Sequence, residues 1–253
     1  MKKKAVESRN LKSCAASLHA AFHLLMTCGL SLWLIFISTE VMAQNALPNT
    51  IAQRVIACMV CHGKEGRAAS DGFYPRIAGK PAGYLYNQLV NFREGRRKYP
   101  SMIYMVDHLS DAYLQEMAEY FSGLHPLYPA PQPANVSQAV LERGRILVQS
   151  GDVARNVPAC VGCHGKTLTG VAPSIPGLIG LPRDYLSAQF GSWKNGARRA
   201  AAPDCMAQIS SRLTVEEISS ALAWLAAQPV PPQTAPAPAA TEKLPMPCGS
   251  LPQ

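Results

Sequence analysis

The chain has 253 residues, enough for one large domain or two small ones. Its 48% hydrophobic and 16% charged content suits a folded protein and excludes wholesale disorder. The formal net charge of +8 is concentrated partly at the N-terminus, so it overstates how basic the folded part is.

In chain order, the first element is a leader. Lys2, Lys3, Lys4, Arg9 and Lys12 precede a nearly all-apolar run from Ala20 to Ser38, which ends at Val41-Met42-Ala43. Basic, then apolar, then a small-residue exit is the order of a secretory signal, and residues 1–43 are read as one cleaved after Ala43. The rival is an uncleaved anchor, since nineteen residues can just span a bilayer. His23 and several small polar residues dilute that run, and membrane association is expected only if cleavage fails. Cys28 lacks a lipoprotein box around it. Removing five basic and two acidic residues leaves +5, too mild for nucleic acid, whose binding needs a dense positive face. Arg96-Arg97-Lys98 and Arg198-Arg199 read as solvated loop charge.

Residues 44–125 form a first unit and residues 136–229 repeat it. Cys58-Met-Val-Cys61-His62-Gly63-Lys64 recurs as Cys160-Val-Gly-Cys163-His164-Gly165-Lys166, offset by 102 residues. Pro75-Arg-Ile-Ala-Gly79 answers Pro176-Gly-Leu-Ile-Gly180, and Tyr84-x-x-x-Gln88 answers Tyr185-x-x-x-Gln189. Met102 stands seven residues before Leu109-Ser110, and Met206 seven before Leu213-Thr214. Matched order at nearly matched spacing means duplication. Helices are expected over Lys80–Phe92 and Arg183–Trp193, with Pro81 and Pro182 in the first turn. Others are expected from Ser110 to Ser122, over Ser137–Gln149, and from a capping box at Thr214–Glu217 to Gln228. No alternating strand stands out. Between the units, residues 126–135 carry Pro126, Pro129, Pro131 and Pro133 and read as an extended semi-rigid linker. Residues 230–253 form a second Pro-rich segment, a C-terminal tail.

The repeated motif indicates covalent haem. Two cysteines three apart, followed at once by His, can reach both vinyl groups of a porphyrin while the imidazole approaches the iron. Cys58, Cys61, Cys160 and Cys163 would form the thioethers, with His62 and His164 as proximal ligands. A four-cysteine zinc site would pair its knuckles about fifteen to twenty residues apart, and a thioredoxin-like dithiol would need a βαβ context. The sixth ligands read as Met102 and Met206, because thioether sulfur suits haem iron and these two are matched in the repeat. Met105 is the rival in the first unit, and His108 reads as a loop residue. Tyr84, Tyr185, Phe92 and Trp193 could line a haem or fill the helix interface, packing being the plainer reading. Cys14 and Cys28 leave with the signal, so Cys205 and Cys248 remain as an even pair in an exported chain and are expected to form a disulfide. That bridge would fold the tail over the second haem. Two free thiols, or Cys205 as an iron ligand, are its alternatives.

On these motifs the chain resembles the class I cytochromes c and, within them, the two-domain cytochrome c4 type, from about Thr50 to Gln228. The resemblance implies an all-α fold of two tandem domains packed about a pseudo-twofold, each around one covalent haem c with His/Met ligands. It also implies that the carbonyls of Pro75 and Pro176 orient His62 and His164. It implies a periplasmic electron carrier without enzymatic activity, working between a redox protein donor and an acceptor such as a membrane-bound oxidase or dehydrogenase. A dedicated subunit of a periplasmic dehydrogenase shares every motif. A dihaem peroxidase or thiosulfate-oxidising cytochrome would need an iron without methionine, or with Cys205 displacing Met206. Cys205 beside Met206 and the tail ending near Cys248 depart from the family pattern.

Overall fold

Prolines and small polar caps decide where the helices begin. The computed structural model describes residues 25–26, 49–68, 73–239 and 243–251. Apart from Leu25 and Met26, the expected signal segment and its cleavage site lie outside the described residues. Among those residues no helix is long and apolar enough to cross a membrane.

In the first unit the Thr50 hydroxyl accepts from the Gln53 N–H and starts α1 (Ile51–Arg54), which passes through Val55 into α2 (Ile56–His62). A 3-10 turn at Lys64–Gly66 follows, then α3 (Ala82–Arg93), α4 (Pro100–Val106) and α5 (Asp111–Ser122). Helix α5 opens where the Ser110 hydroxyl accepts from the Tyr113 N–H, a cap worth about 1 kcal/mol. Helix α3 packs on α4 and α5 around Val55, Leu85, Phe92, Leu114 and Phe121.

The second unit repeats this plan. It runs through α6 (Gln138–Gln149), a 3-10 turn at Val153–Arg155, and α7 (Val161–His164). Then come β1 (Gly170–Val171), β2 (Ile175–Pro176), α8 (Arg183–Lys194), α9 (Cys205–Arg212) and α10 (Val215–Ala227). Helix α10 packs on α6 and α8 over Leu147, Val148, Leu186, Leu222 and Leu225. Each such side chain, once buried, contributes about 1.5–3 kcal/mol. The α6–α10 crossing is tight because Gly144 has no side chain. A Cβ there would lie 2.1 Å from the Ser220 carbonyl oxygen.

Two details differ from the sequence reading. Pro81 and Pro182 are caps, one residue before the helix, with extended ψ of 135° and 140°. The strands are a ladder of two residues each, Gly170 opposite Pro176 and Val171 opposite Ile175, too short to leave an alternating pattern. The linker is extended but clamped. The buried Arg76 guanidinium donates to the Pro126 and Leu127 carbonyls and stacks 3.7 Å from the Tyr128 ring. Farther along, the Gln132 N–H donates to the Ala226 carbonyl at 2.9 Å.

Candidate functional site

Helices α2 and α7 each end on the histidine of the C-x-x-C-H motif, and glycine stops them there. Gly63 (φ 74°) and Gly165 (φ 84°) occupy backbone that other residues enter only with strain. Both histidines are buried, 8% exposed. The His62 Nδ1 lies 2.8 Å from the Pro75 carbonyl and the His164 Nδ1 lies 2.7 Å from that of Pro176. A carbonyl can only accept, so Nδ1 carries the proton and Nε2 presents a lone pair. Burial pushes both imidazoles below their usual pKa, the carbonyl bond opposing it in each. The result is two neutral, oriented imidazoles, the state in which histidine ligates a metal.

The four motif cysteines are unbridged. Burial raises the thiols of Cys58, Cys160 and Cys163, that of Cys160 to about 11. A dithiol redox site works through a lowered thiol, so these are poorly suited to one. Among the described residues no three of His, Cys, Asp or Glu gather as they would around a zinc ion.

His164, Cys160, Cys163 and Met206 line one cavity in the second unit, together with Tyr185, Phe190 and Trp193. Its free space is about 1610 Å³ with its mouth included. In the first unit Cys58 and Met102 both pack against the core, whereas Met105 is 44% exposed. His108 is exposed, 3.6 Å from Asp107.

The sequence reading of Arg97 and Arg198 as solvated charge is wrong. The loops after α3 and α8 pair across the two units, Lys98 N–H to the Ala197 carbonyl (2.7 Å) and Arg199 N–H to that of Arg96 (2.8 Å). This pairing folds both guanidinium groups inward, and Arg198 is only 6% exposed. Arg97 donates to Gln88 (3.0 Å) and Gln189 (2.8 Å). Arg198 donates to Gln189 (2.6 Å), Gln88 (3.1 Å) and the Tyr84 hydroxyl (3.3 Å). The repeat itself held the clue, for each arginine stands nine residues after its glutamine.

No carboxylate pairs with Arg97, Arg198 or the buried Lys80 among the described residues. Burial, then the neighbouring Arg198, brings even Arg97 down to about 10, and burial also lowers Lys80. Burial alone would raise the Tyr84 phenol, but Arg198, Lys80 and Arg97 bring it down to about 8. Arg198 lies 4.0 Å over the Trp193 ring, and the buried Trp193 Nε1–H has no acceptor. Lys80, Tyr84, Trp193 and Arg198 all line the cavity. Buried cations and an orphaned donor around an apolar cavity suit an acidic partner. A porphyrin with two carboxylate side chains fits that donor set.

The tail closes over this cavity. Its Ala237 pairs in parallel with Val171, through Ala172 N–H to the Ala237 carbonyl (2.8 Å) and Ala237 N–H to the Gly170 carbonyl (2.9 Å). Cys248 is bonded to Cys205, with their Cα atoms 5.1 Å apart. Beyond it, the Ser250 carbonyl accepts from Asn87 Nδ2 of the first unit at 2.8 Å.

No protein-family model matches the chain. It is similar to a protein named thiosulfate dehydrogenase electron acceptor from Thiomonas intermedia (strain K12). The two are 37% identical over 177 residues, which cover 70% of this chain and 80% of that one. It is similar to cytochrome c4 of Azotobacter vinelandii, 29% identical over 68% of this chain and 84% of that one. The solved structure of reduced recombinant cytochrome c4 from Pseudomonas stutzeri superposes with a TM-score of 0.58 at 26% identity, covering 70% of this chain and 96% of that one.

Proposed function

We infer the function of this chain from the family to which it belongs, the dihaem c-type cytochromes of the cytochrome c4 kind. It is an electron-transfer protein with two covalently bound haem c groups, in an all-α fold of two tandem class I cytochrome c domains. A haem iron held at each site would supply one-electron ferrous/ferric chemistry. By our assignment Cys58/Cys61 and Cys160/Cys163 would form the thioethers, and His62 with Met102 and His164 with Met206 would ligate the two irons. Pro75 and Pro176 act as positioning residues through the Nδ1–H bonds of the two histidines. Lys80, Arg198 and the Trp193 N–H would receive the carboxylates of the second haem. Two saturated irons favour electron transfer over substrate activation, so the chain is a carrier and not an enzyme.

The single observation that carries this reading is the repeated helix end. A buried, neutral histidine is pinned by a prolyl carbonyl beside two cysteines, and in the second unit it shares a cavity with a methionine. For the donor we propose a periplasmic dehydrogenase of the thiosulfate-oxidising class, because a relative at 37% identity is named for accepting its electrons. The acceptor would be a terminal oxidase, and the site of work the periplasm, reached through the signal in residues 1–43. The test is stopped-flow reduction of the oxidised protein by purified thiosulfate dehydrogenase and thiosulfate. Reduction of both haems within catalytic turnover is expected; a protein reduced no faster than by thiosulfate alone would reject this donor. In the first unit, Met102→Ala should remove about half of the sulfur-to-iron charge-transfer absorption, one of two such ligands. The same loss from Met105→Ala would move the ligand there.

A further inference from the structure

The second cavity holds two thioethers, and only Met206 belongs to the repeat. The other is Met246, in the tail, which has no counterpart in the first unit. Exposure along residues 243–248 alternates. Lys243, Pro245 and Pro247 are exposed, while Leu244, Met246 and Cys248 are half-buried and line the cavity. The chain bends at Pro245 and Met246, and Met246 is set on the cavity wall there.

This segment is held at three places. A Cβ on Gly162, inside the second attachment motif, would lie 3.3 Å from Pro245 Cγ, so the tail runs against α7 itself. Cys248 is bonded to Cys205, and the Gly249 N–H donates to the Pro203 carbonyl at 2.9 Å. Met206 adjoins one half of the disulfide and Met246 stands two residues from the other, where the two backbones meet at a Cα distance of 5.1 Å. Both thioethers therefore hang from one covalent junction on the wall of one cavity. Leucine would seal that wall equally well, as Leu244 and Leu251 do nearby. Methionine differs from them in carrying a donor that suits haem iron.

We propose that Met246 is a reserve ligand for the second haem, taking the sixth position whenever Met206 leaves it, within a reach set by the Cys205–Cys248 bridge. This rests on the reading that the second haem binds in this cavity on His164. The exchange replaces one neutral sulfur lone pair with another, so charge and electron count at the iron do not change. A tethered donor acts at an effective concentration of about millimolar, so it would compete with small ligands from solution.

The test uses the full dihaem protein carrying methyl-labelled methionine, reduced, and read by NMR. A methionine methyl bound to haem iron is displaced far upfield by the porphyrin ring current. The unsubstituted protein should give two such signals. Met206→Leu, which conserves volume, should still give two, the second at a new position, and Met206→Leu/Met246→Leu should give one. Adding Cys248→Ser to Met206→Leu should weaken the second signal. One signal from a Met206→Leu protein whose mass shows both haems would overturn the proposal. If that variant does not mature, cyanide binding to oxidised Met246→Leu decides. Binding at the second haem should tighten several-fold with the first unchanged, and an unaltered second haem rejects the reserve ligand. A native protein with fewer than two haems would instead refute the reading beneath it.

Discussion

The two attachment motifs have one chemistry and two surroundings. In the first unit Val60, between the cysteines, is 81% exposed and Cys61 is open to solvent. In the second, the corresponding Gly162 lies under Pro245 and Cys163 is half-buried. Met105 is exposed, whereas Ile209 of the matching helix packs against the second core. Helix ends, pinned histidines and stop glycines are shared, because covalent attachment needs all of them. The covering differs, because it comes from a tail outside the repeat. Ferric haem carries one more positive charge than ferrous haem. A drier cavity beside buried Lys80 and Arg198 therefore penalises the oxidised form more. The second haem should have the higher potential.

The largest expected effect comes from removing one motif. Cys58→Ser/Cys61→Ser should yield a protein with a single haem by intact mass and a collapsed first unit, since a core of that size depends on its staple. Retention of the second haem would show that the units mature separately. Its loss would make the crossed Arg97/Arg198 contacts a condition of folding for both.

Cys248→Ser tests the covering directly. Opening a loop of 43 residues should cost about 4 kcal/mol in the chain-entropy account, measurable as a lower denaturant midpoint for the second haem's signal. A redox titration should show the second potential falling while the first stays. Equal shifts in both would assign the asymmetry to the shared interface and not to the tail.

Gly144→Ala separates packing from haem effects. The new Cβ would meet the Ser220 carbonyl, and backbone cannot swing aside, so about 1–3 kcal/mol of stability should be lost with both potentials unchanged. Unfolding followed by haem absorption checks it. A neutral result would mean that α6 and α10 can separate without cost.

How much of this was legible beforehand follows from what each feature depends on. The motif, the matched methionines and the capping box at Thr214–Glu217 are local, so spacing exposed them. Ser110 caps its helix for the same reason, and Ser137 proves to be a cap and not the first helical residue. The burial of Arg97 and Arg198 depends on one loop pairing with its duplicate, and a charge run looks identical in solvent and in an interface. The β1–β2 ladder is too short to carry a period. A tail rich in proline gives little sign of its docking site, since a β-bridge at Ala237 and a backbone acceptor at Ser250 involve no distinctive side chain. Met246 was hidden because repeat logic discards whatever lacks a partner.

The smallest predicted effect lies where the second unit has electrostatics that the first lacks. Glu217 completes the capping box by accepting from the Thr214 N–H at 3.1 Å, and it also accepts from Arg155 at 2.7 and 3.0 Å and from Arg143. The Arg155 bonds lead in holding its carboxyl down at about 2, against the cost of burial, with Thr214 and Arg143 adding to them. A carboxyl lowered in the folded state stabilises above its unfolded pKa, and the contribution fades as pH falls toward the folded value. The window therefore runs from about 4.5 down to about 2. Both arginines keep much of their surface in water, so the contribution is discounted to about 1 kcal/mol. Glu217→Gln keeps an acceptor for the cap and removes only the charge. It should lower the stability of the second unit at pH 7 by about that amount and flatten its decline between pH 4.5 and 2. The first unit opens α5 on Ser110 with Tyr113 at the matching place, so its acid profile should not change. Chemical unfolding at a series of pH values, followed separately at each haem, measures both. Parallel curves for native and variant protein would show that Glu217 acts through its hydrogen bonds and not through its charge.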